Sequence, residues 1–101
     1  MTIPIKVAQQ FSRYPAGRYL NDGPYSGQHF RERFLLPYLQ GGQKVIVYLD
    51  GTRGYGSSFL EEAFGGLVRL GFSAPRVREL VELVSADTSV IQEIWDYVDH
   101  A

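Results

Sequence analysis

The chain has 101 residues, of which 45% are hydrophobic and 21% charged, and its ten basic and eleven acidic side chains give a formal net charge of −1. This length provides one modest core, which excludes a multidomain enzyme, and the apolar fraction excludes wholesale disorder. The near-neutral charge removes the bulk attraction on which non-specific nucleic-acid binding depends, and the absence of cysteine excludes disulfides and thiolate chemistry.

Charge is divided unevenly along the chain. Residues 1–53 hold seven basic and three acidic side chains, a net of +4, and residues 54–101 hold three basic and eight acidic side chains, a net of −5. Such a division creates surfaces of opposite sign unless the fold interleaves the two halves. No apolar run approaches the roughly 18 residues needed to cross a bilayer. We therefore expect one cytoplasmic domain over residues 1–101, with neither a membrane nor nucleic acid as a partner.

The first elements are predicted to be two strands. Apolar and polar residues alternate over residues 3–7, which is typical of a half-buried strand, and Pro4 places that strand at the edge of a sheet. A second short strand is predicted around residues 17–20. Turn-forming residues follow at 21–24, and Ser26 is then positioned to cap the N-terminus of a helix.

An amphipathic helix is predicted over residues 28–36, because Phe30, Phe34 and Tyr38 recur every four residues. Pro37 is predicted to end this helix, since proline lacks the amide hydrogen that an inner helical position needs. Two glycines then break the chain before the next element.

A central strand and a second helix come next. Residues 44–49 form a near-continuous β-branched and aromatic run, which indicates a central strand covered on both faces. Residues 50–56, which include three glycines, form a loop after it. Apolar residues then recur at the spacing of a buried helical stripe over residues 57–70, and Gly71 ends that helix.

The C-terminal part is predicted to add a strand and a last helix. Residues 77–84 fit either a helix or a strand, and we interpret them as a short helical turn followed by a strand near residues 80–84. The last helix follows residue 87, where Ser89 and Gln92 resemble a capping box. Together, the elements predict an α/β fold: a mixed sheet of about four strands with three main helices packed on it.

The glycine loop and the start of the following helix are the predicted binding site. In open α/β sheets, ligands bind beyond the carboxyl ends of the strands, where loops lead into helix N-termini. Glycines let the backbone approach a partner closely, and the unpaired amides of the helix start favour an anion. Loops of this composition are also common as simple turns. The residues predicted to contact a protein partner or an anion are Asp50, Gly54, Gly56, Ser57, Ser58, Glu61 and Glu62.

Spacing distinguishes the two serines at the end of this loop. With Ser58 as the N-cap, Glu61 falls at the third helical position, and the two residues form a capping box. Ser57 then lies outside the box with a free hydroxyl, which makes it the candidate phosphate acceptor for a kinase. The alternative is that Ser57 is a second cap without chemistry.

Other residues carry less specific signals. Gly65 and Gly66 within a helix indicate a close approach by the protein's own sheet or by a partner helix. Glu61 and Glu62 point about 100° apart on the helix, so they are interpreted as partners of the helix dipole rather than as a carboxylate dyad. Four arginines either form a basic cluster near the loops or pair with acids of this chain. These arginines are Arg18, Arg31, Arg33 and Arg53, and the acids are Asp22, Glu32 and Asp50.

No catalytic residue, cofactor or metal site is predicted. His29 and His100 have no histidine three or four residues away, and the chain has no cysteine. A hydrolase can be written with Ser57, His29 and Asp50, but the Gly-x-Ser-x-Gly pattern of a nucleophile elbow is absent. The lysine and nucleotide loop of phosphoryl transfer are absent as well.

Residues 45–51, followed by Ser57 and Ser58 at the start of an apolar helix, resemble the core of STAS domains, the fold of sulfate-transporter tails and anti-sigma factor antagonists. In the antagonists an Asp-Ser-Ser-Gly motif stands there, and a partner kinase phosphorylates its first serine. Gly56 and Phe59 replace the Asp and the Gly of that motif. The chain looks closer still to a STAS-like family of uncharacterised function, whose hallmarks are matched by residues 15–19, 23–27, 30–32 and 56–67.

This resemblance implies a non-enzymatic, bacterial signalling module whose loop and helix bind a protein partner under the control of Ser57. By resemblance, that partner is a serine kinase or ATPase of the anti-sigma class. The alternative is a sensor that holds a small ligand, nucleotide or anion at residues 50–58. A phosphate on Ser57 is favoured by the helix dipole and opposed by Glu61 and Glu62 one turn away, so the sequence does not fix the sign of a switch.

Overall fold

The structure is a computed structural model that describes residues 1–101, and its sheet has three parallel strands. β1 (Thr2–Lys6), β2 (Lys44–Tyr48) and β3 (Val81–Val84) lie in that order across the sheet. β2 is therefore central and β1 lies at an edge, as predicted. The prediction of a mixed sheet with about four strands is wrong, because both strand pairs are parallel and no strand forms at residues 17–20.

A local hydrogen-bond network replaces the strand expected at residues 17–20. The carboxylate of Asp22 accepts hydrogen bonds from the backbone amides of Arg18 and Tyr19, at 3.2 and 2.7 Å. A strand would have used these amides to pair with a neighbour, so the side-chain bonds compete directly with sheet formation. The chain instead forms a single 3₁₀ turn at Leu20–Asp22.

Five helices accompany the sheet. α1 (Val7–Phe11) is one wide turn that continues β1, and α2 spans residues 27–39. α3 spans residues 57–69, α4 is Ala74–Leu80 and α5 is Thr88–His100. The three main predicted helices correspond to α2, α3 and α5, and α4 matches the predicted short turn, but α1 is not predicted, so a count of three is too low. None of the helices combines the length and apolar character needed to cross a membrane.

α2 begins where predicted and ends later. Ser26 caps it, since its hydroxyl accepts a backbone amide of the first turn at 3.2 Å. The helix continues past Pro37, so the predicted end is wrong. In the turn before the proline, the Leu36 amide donates to the carbonyl of Arg31, five residues back, which makes this turn one residue wider than an α-turn. Proline inside a helix cannot donate a backbone hydrogen bond, and its ring crowds the preceding turn. The wider turn accommodates both effects.

Two predicted boundaries in the C-terminal half are confirmed, and one predicted cap is wrong. Gly71, with a φ of 116°, ends α3. α4 passes directly into β3 at residues 80–81, which is the predicted junction between helix and strand. α5 is capped by Asp87, whose carboxylate accepts the Ser89 amide at 3.0 Å, so the box of Ser89 and Gln92 does not form.

The core lies on one side of the sheet. Along β2, Val45 and Val47 are fully buried, whereas Lys44 and Tyr48 are exposed and Ile46 is half-buried. β1 follows a similar alternation, and in β3 Val81 is buried and Glu82 exposed before two half-buried residues. The prediction that both faces of β2 are covered is therefore wrong, because the buried hydrophobic cluster fills only the space between the sheet and the helices.

Candidate functional site

The glycine loop leaves the carboxyl end of β2 and leads into α3, as the order of elements predicts. Asp50, its first residue, accepts hydrogen bonds from the hydroxyl of Ser85 at 2.8 Å and from the amide of Ala86 at 2.9 Å. Both donors follow β3, so Asp50 ties together the ends of two neighbouring strands. Gly51 and Gly54 have φ angles of 98° and 121°, a region that glycine adopts without strain.

Tyr55 holds the loop against the strand. Its hydroxyl donates to the carbonyl oxygen of Leu49 at 2.6 Å, and its ring packs on Phe59 with the centroids 5.9 Å apart. Burial raises the pKa of Tyr55 to about 12, while a hydrogen bond with Thr52 opposes the shift and the charge of Asp50 adds to it. The phenol therefore stays protonated and bonded at neutral pH.

Ser57 and Ser58 are the first two residues of α3, and both side chains are exposed. The cap position is taken by Gly56 in an extended conformation, and no side chain accepts a backbone amide there. The predicted capping box of Ser58 with Glu61 is therefore wrong, because Ser58 is already inside the helix. Ser57 is exposed at the helix start, as predicted, but Ser58 shares this exposure, so spacing does not distinguish the two serines.

α5 contributes a tyrosine and a carboxylate beside the first turn of α3. The hydroxyl of Tyr97 donates to Glu93 at 2.7 Å, and this hydrogen bond is the main cause that raises the pKa of Tyr97. The hydroxyl of Ser57 lies close enough to lower that pKa. Ser57 therefore faces solvent and has the polar side chains of Tyr97 and Glu93 beside it, rather than apolar side chains.

The two glutamates one turn into α3 belong to a cluster of five charged residues, which we call the arginine–glutamate cluster. Glu61 pairs with Arg18 at 2.5 Å and with Arg69 at 2.6 Å. Glu62 pairs with Arg31 at 2.7 Å and lies 3.3 and 3.2 Å from the guanidinium groups of Arg18 and Arg69. Three guanidinium groups against two carboxylates leave the cluster one positive charge.

Burial makes the Arg31–Glu62 pair the centre of this cluster. Arg31 is 6% exposed and Glu62 is 7% exposed. Nη1 of Arg31 also donates to the backbone carbonyl of Glu62 at 2.5 Å, whereas Nε of Arg31 is buried without a partner. Removing one member of a buried pair leaves the other charge buried without a partner, which is strongly destabilising. Glu62 thus serves the fold and offers a binding partner almost no surface.

The three more exposed members of the cluster, Glu61, Arg18 and Arg69, stay ionised. Hydrogen bonds from Arg69 lower the pKa of Glu61 below its ordinary value of 4.5; partial burial opposes this shift and Arg18 adds to it. The same hydrogen bonds with Glu61 raise the pKa of Arg18 and of Arg69. These pairs, rather than the helix dipole alone, account for the two adjacent acids in the sequence.

The four arginines predicted near the loops separate into two groups. Arg18 and Arg31 reach the glutamates of α3. Arg33 and Arg53 are exposed and form no ion pair. The alternative in which the arginines pair with acids of this chain is confirmed for Arg18 and Arg31, but their partners are Glu61 and Glu62 instead of Asp22, Glu32 or Asp50.

Gly65 and Gly66 leave the space that the cluster occupies. A Cβ at Gly66 would overlap the guanidinium of Arg31, and a Cβ at Gly65 would lie 2.7 Å from a carboxylate oxygen of Glu61. The close approach predicted from these helical glycines is confirmed. The predicted neighbours are wrong, because the space is bordered by arginine and glutamate side chains and, at Gly65, by the backbone carbonyl of Tyr97 in α5, rather than by the sheet or a partner helix.

A pocket of about 150 Å³ opens beside the glycine loop. Asp50 and Asp87 both line it, and no lysine or arginine does. Two carboxylates repel a bound phosphate or carboxylate group. The pocket therefore gives no support to the alternative in which this loop holds an anion or a nucleotide phosphate.

Ser57, His29 and Asp50 do not form a catalytic arrangement. Nδ1 of His29 donates to the carbonyl oxygen of Pro24 at 2.7 Å, and Asp50 is bonded to Ser85. No hydrogen bond joins either side chain to Ser57. No group of three or more His, Asp or Glu side chains is placed to hold a metal ion.

Sequence reasoning missed two residues at the site, Arg69 and Tyr97. A signal for Arg69 was available, because it follows the two glutamates by eight and seven residues, and residues so spaced share one face of a helix. Tyr97 lies in another helix, and no local pattern connects it with Ser57.

The comparison with protein families identifies one match. A family model described as a STAS-like domain of unknown function (DUF4325) matches residues 26–90. The matched segment contains α2, β2, the glycine loop, α3, α4 and β3. No curated protein matches the chain, and no solved structure matches it.

Proposed function

The chain belongs to the family of STAS-like domains of unknown function, and from this premise we propose that it is a non-enzymatic regulatory module of the bacterial cytoplasm. It binds a protein partner through the glycine loop and the start of α3, and phosphorylation of Ser57 controls that binding. The partner is a serine kinase or ATPase of the anti-sigma class. The observation that carries the proposal is the exposure of Ser57 as the first residue of the helix that follows the central strand.

The surroundings of Ser57 suit a kinase substrate. Its hydroxyl does not cap the helix, so it is free to react. A Cβ added at Gly54 or Gly56 would meet nothing within 4 Å, which shows that the space before the serine is open. A kinase can therefore approach the hydroxyl from the loop side without displacing a side chain.

The charges near Ser57 tolerate a phosphate. Phosphorylation adds a charge of about −1.5 to −2 at the helix N-terminus, where the unpaired amides favour it. Glu61 lies one turn further along, but Arg18 and Arg69 neutralise it. Glu93 adds one negative charge from α5, and the net positive charge of the arginine–glutamate cluster offsets it. The opposition expected from two free glutamates is thus removed.

Incubation of the full chain with ATP and a purified serine kinase of the anti-sigma class tests the acceptor. We expect one phosphate, mapped by mass spectrometry to Ser57, that is lost in Ser57→Ala and retained in Ser58→Ala. Ser58 is a matched control, because it is the next residue, is also exposed, and does not cap the helix. A phosphate on Ser58 or elsewhere, or no phosphate at all, contradicts the assignment.

Binding of the kinase to both forms of the protein tests the regulatory role. We expect the phosphorylated and unphosphorylated chains to differ at least about tenfold in affinity, because the added charge lies inside the proposed contact surface. Equal affinity for the two forms would show that the phosphate does not control binding.

A further inference from the structure

One short segment of the chain exposes several aromatic and apolar side chains. The chain exposes seven large hydrophobic side chains, and four of them fall within residues 14–25. Tyr14 is 62% exposed, Tyr19 51%, Leu20 53% and Tyr25 42%. Single apolar residues scattered over a surface need no explanation, whereas neighbouring exposed apolar side chains mark interaction sites, and four of the seven share this one short segment.

The segment that carries them, residues 13–25, is a closed loop that we call the tyrosine loop. The amide of Ala16 donates to the carbonyl of Tyr25 at 3.0 Å, and the amide of Gly27 donates to the carbonyl of Gly17 at 2.9 Å. These bonds join the two ends of the loop and fix its backbone. A partner that binds here therefore loses little affinity to the ordering of a flexible segment.

Two unpaired arginines lie on neighbouring backbone segments at this loop. The backbone amide of Arg53 donates to the carbonyl of Arg13 at 2.8 Å, which joins the glycine loop to the tyrosine loop. Both side chains are exposed, and neither forms an ion pair. Arg18, from the same loop, pairs with Glu61 one turn after Ser57. The tyrosine loop thus borders the proposed acceptor.

We propose that the tyrosine loop and Arg53 form the docking surface for an acidic segment of a protein partner. This inference rests on the proposed function, because it names the chemistry of the partner that the module binds. Tyrosine and arginine are enriched where protein partners bind most strongly, since tyrosine buries a large area and arginine binds carboxylates through two N–H groups. Carboxylates are the groups that complement the unpaired guanidinium groups of Arg13 and Arg53.

A polypeptide fits this surface better than a nucleic acid. Affinity for nucleic acid grows with the number of phosphates that the protein neutralises, and a stable complex needs several. Two guanidinium groups are free at this surface, the loop itself carries the acidic Asp22, and the chain has a net charge of −1. An acidic peptide needs only a few matched charges beside an apolar contact, which is what the loop offers.

A titration of the ¹⁵N-labelled full chain with a synthetic peptide of repeated Asp-Glu-Leu units tests this surface. We expect saturable amide shifts confined to residues 13–25 and 51–55. In the double variant Arg13→Gln/Arg53→Gln the dissociation constant rises at least about tenfold, because two charge-assisted contacts are lost. Arg76→Gln is the control: it removes an exposed positive charge from α4, and the dissociation constant should stay within about twofold of the original.

Several outcomes would overturn the inference. They are an absence of shifts, shifts on another face, an unchanged dissociation constant in the double variant, and equal binding of a Lys-Lys-Leu repeat peptide. If a thymidine oligonucleotide shifts the same amides at lower concentration than the acidic peptide, the surface binds nucleic acid rather than a protein partner. The titration does not involve the phosphorylation of Ser57, so its failure rejects this surface alone, and a failed kinase assay rejects the acceptor alone.

Discussion

At the scale of single residues, Glu62 depends on Arg31 for its buried position. Nη1 of Arg31 donates to the side-chain carboxylate of Glu62 at 2.7 Å and to its backbone carbonyl at 2.5 Å, so one guanidinium joins α2 to α3. Gly66 provides the space for that guanidinium. A glycine inside a helix costs about 1 kcal/mol relative to alanine, and a larger residue here would displace the guanidinium and leave Glu62 buried without its partner.

The raised pKa of Tyr55 predicts a loss of stability at alkaline pH. Its folded pKa of about 12 lies above the ordinary value of 10.0, so folding favours the protonated phenol. This stabilisation is complete below about pH 10 and is lost as the pH rises through about 12. Tyr55→Phe has no such proton to lose. In urea denaturation at several pH values, we expect its free energy of unfolding to fall less steeply across this interval than that of the wild type.

The controls for Tyr55 separate ionisation from hydrogen bonding. At neutral pH, Tyr55→Phe should lose about 1 kcal/mol of stability, because the carbonyl of Leu49 loses its donor. Tyr48→Phe is the matched control, since Tyr48 is exposed at the end of β2, and its alkaline decline should equal that of the wild type. Equal declines in all three proteins would show that the Tyr55 phenol ionises without effect on folding.

Little of the arginine–glutamate cluster could be predicted from the sequence. Arg31 and Glu62 are 31 residues apart, which is far beyond the three- or four-residue spacing that a helical pattern can show. The position of Glu61 and Glu62 in an early helical turn offered a sufficient local explanation, namely the helix dipole. Gly65 did indicate a close approach, but a glycine records only that space is needed and not which group fills it.

At the scale of elements, the contact between α2 and α3 depends on Gly27. A Cβ at this position would overlap the carbonyl oxygen of Phe59 and lie 3.0 Å from the amide nitrogen of Ala63. Both are backbone atoms of α3, so they cannot rotate away. We expect Gly27→Ala to lower the free energy of unfolding by about 2 kcal/mol, measured by urea denaturation, because the two helices must move apart.

Gly41→Ala is the control for this packing contact. Gly41 has no positive φ, and a Cβ there would meet its nearest neighbour, the carbonyl oxygen of Tyr38, at an ordinary 3.6 Å. Its effect should stay within about 0.5 kcal/mol. Equal effects of the two substitutions would show that α2 adjusts freely against α3.

The elements whose apolar residues recur most regularly were the ones that the sequence located best. β2, α3 and α5 each bury a regular stripe of apolar residues, and the sequence alone locates them closely. α2 runs past Pro37 because a widened turn accommodates the proline, and the strand expected at 17–20 is lost because Asp22 bonds its amides. The site loop was located from the order of the elements, whereas the helix cap was not, since it depends on the backbone conformation of Gly56.

At the scale of the whole molecule, the basic and acidic halves of the chain interleave. β2, from the basic half, pairs with β1 on one side and with β3, from the acidic half, on the other. Ion pairs of Arg18 with Glu61 and of Arg31 with Glu62 also join the halves. The 18 buried hydrophobic residues form one cluster drawn from both. The two halves therefore share one sheet and one core, and we expect the molecule to unfold as one unit.

Native-state hydrogen exchange of Glu62→Gln tests this single unit. The amides of Val45 and Val47 should exchange most slowly, because β2 is paired on both sides. The substitution leaves Arg31 buried without a carboxylate, so the free energy of unfolding should fall by about 3 kcal/mol. In one cooperative unit, the protection of β2 falls by the same amount as that of α2 and α3.

Glu32→Gln is the control for this experiment. It changes an exposed glutamate of α2 and should leave protection unchanged. Protection lost in the two helices but kept in β2 would mean that the helical layer opens independently of the sheet.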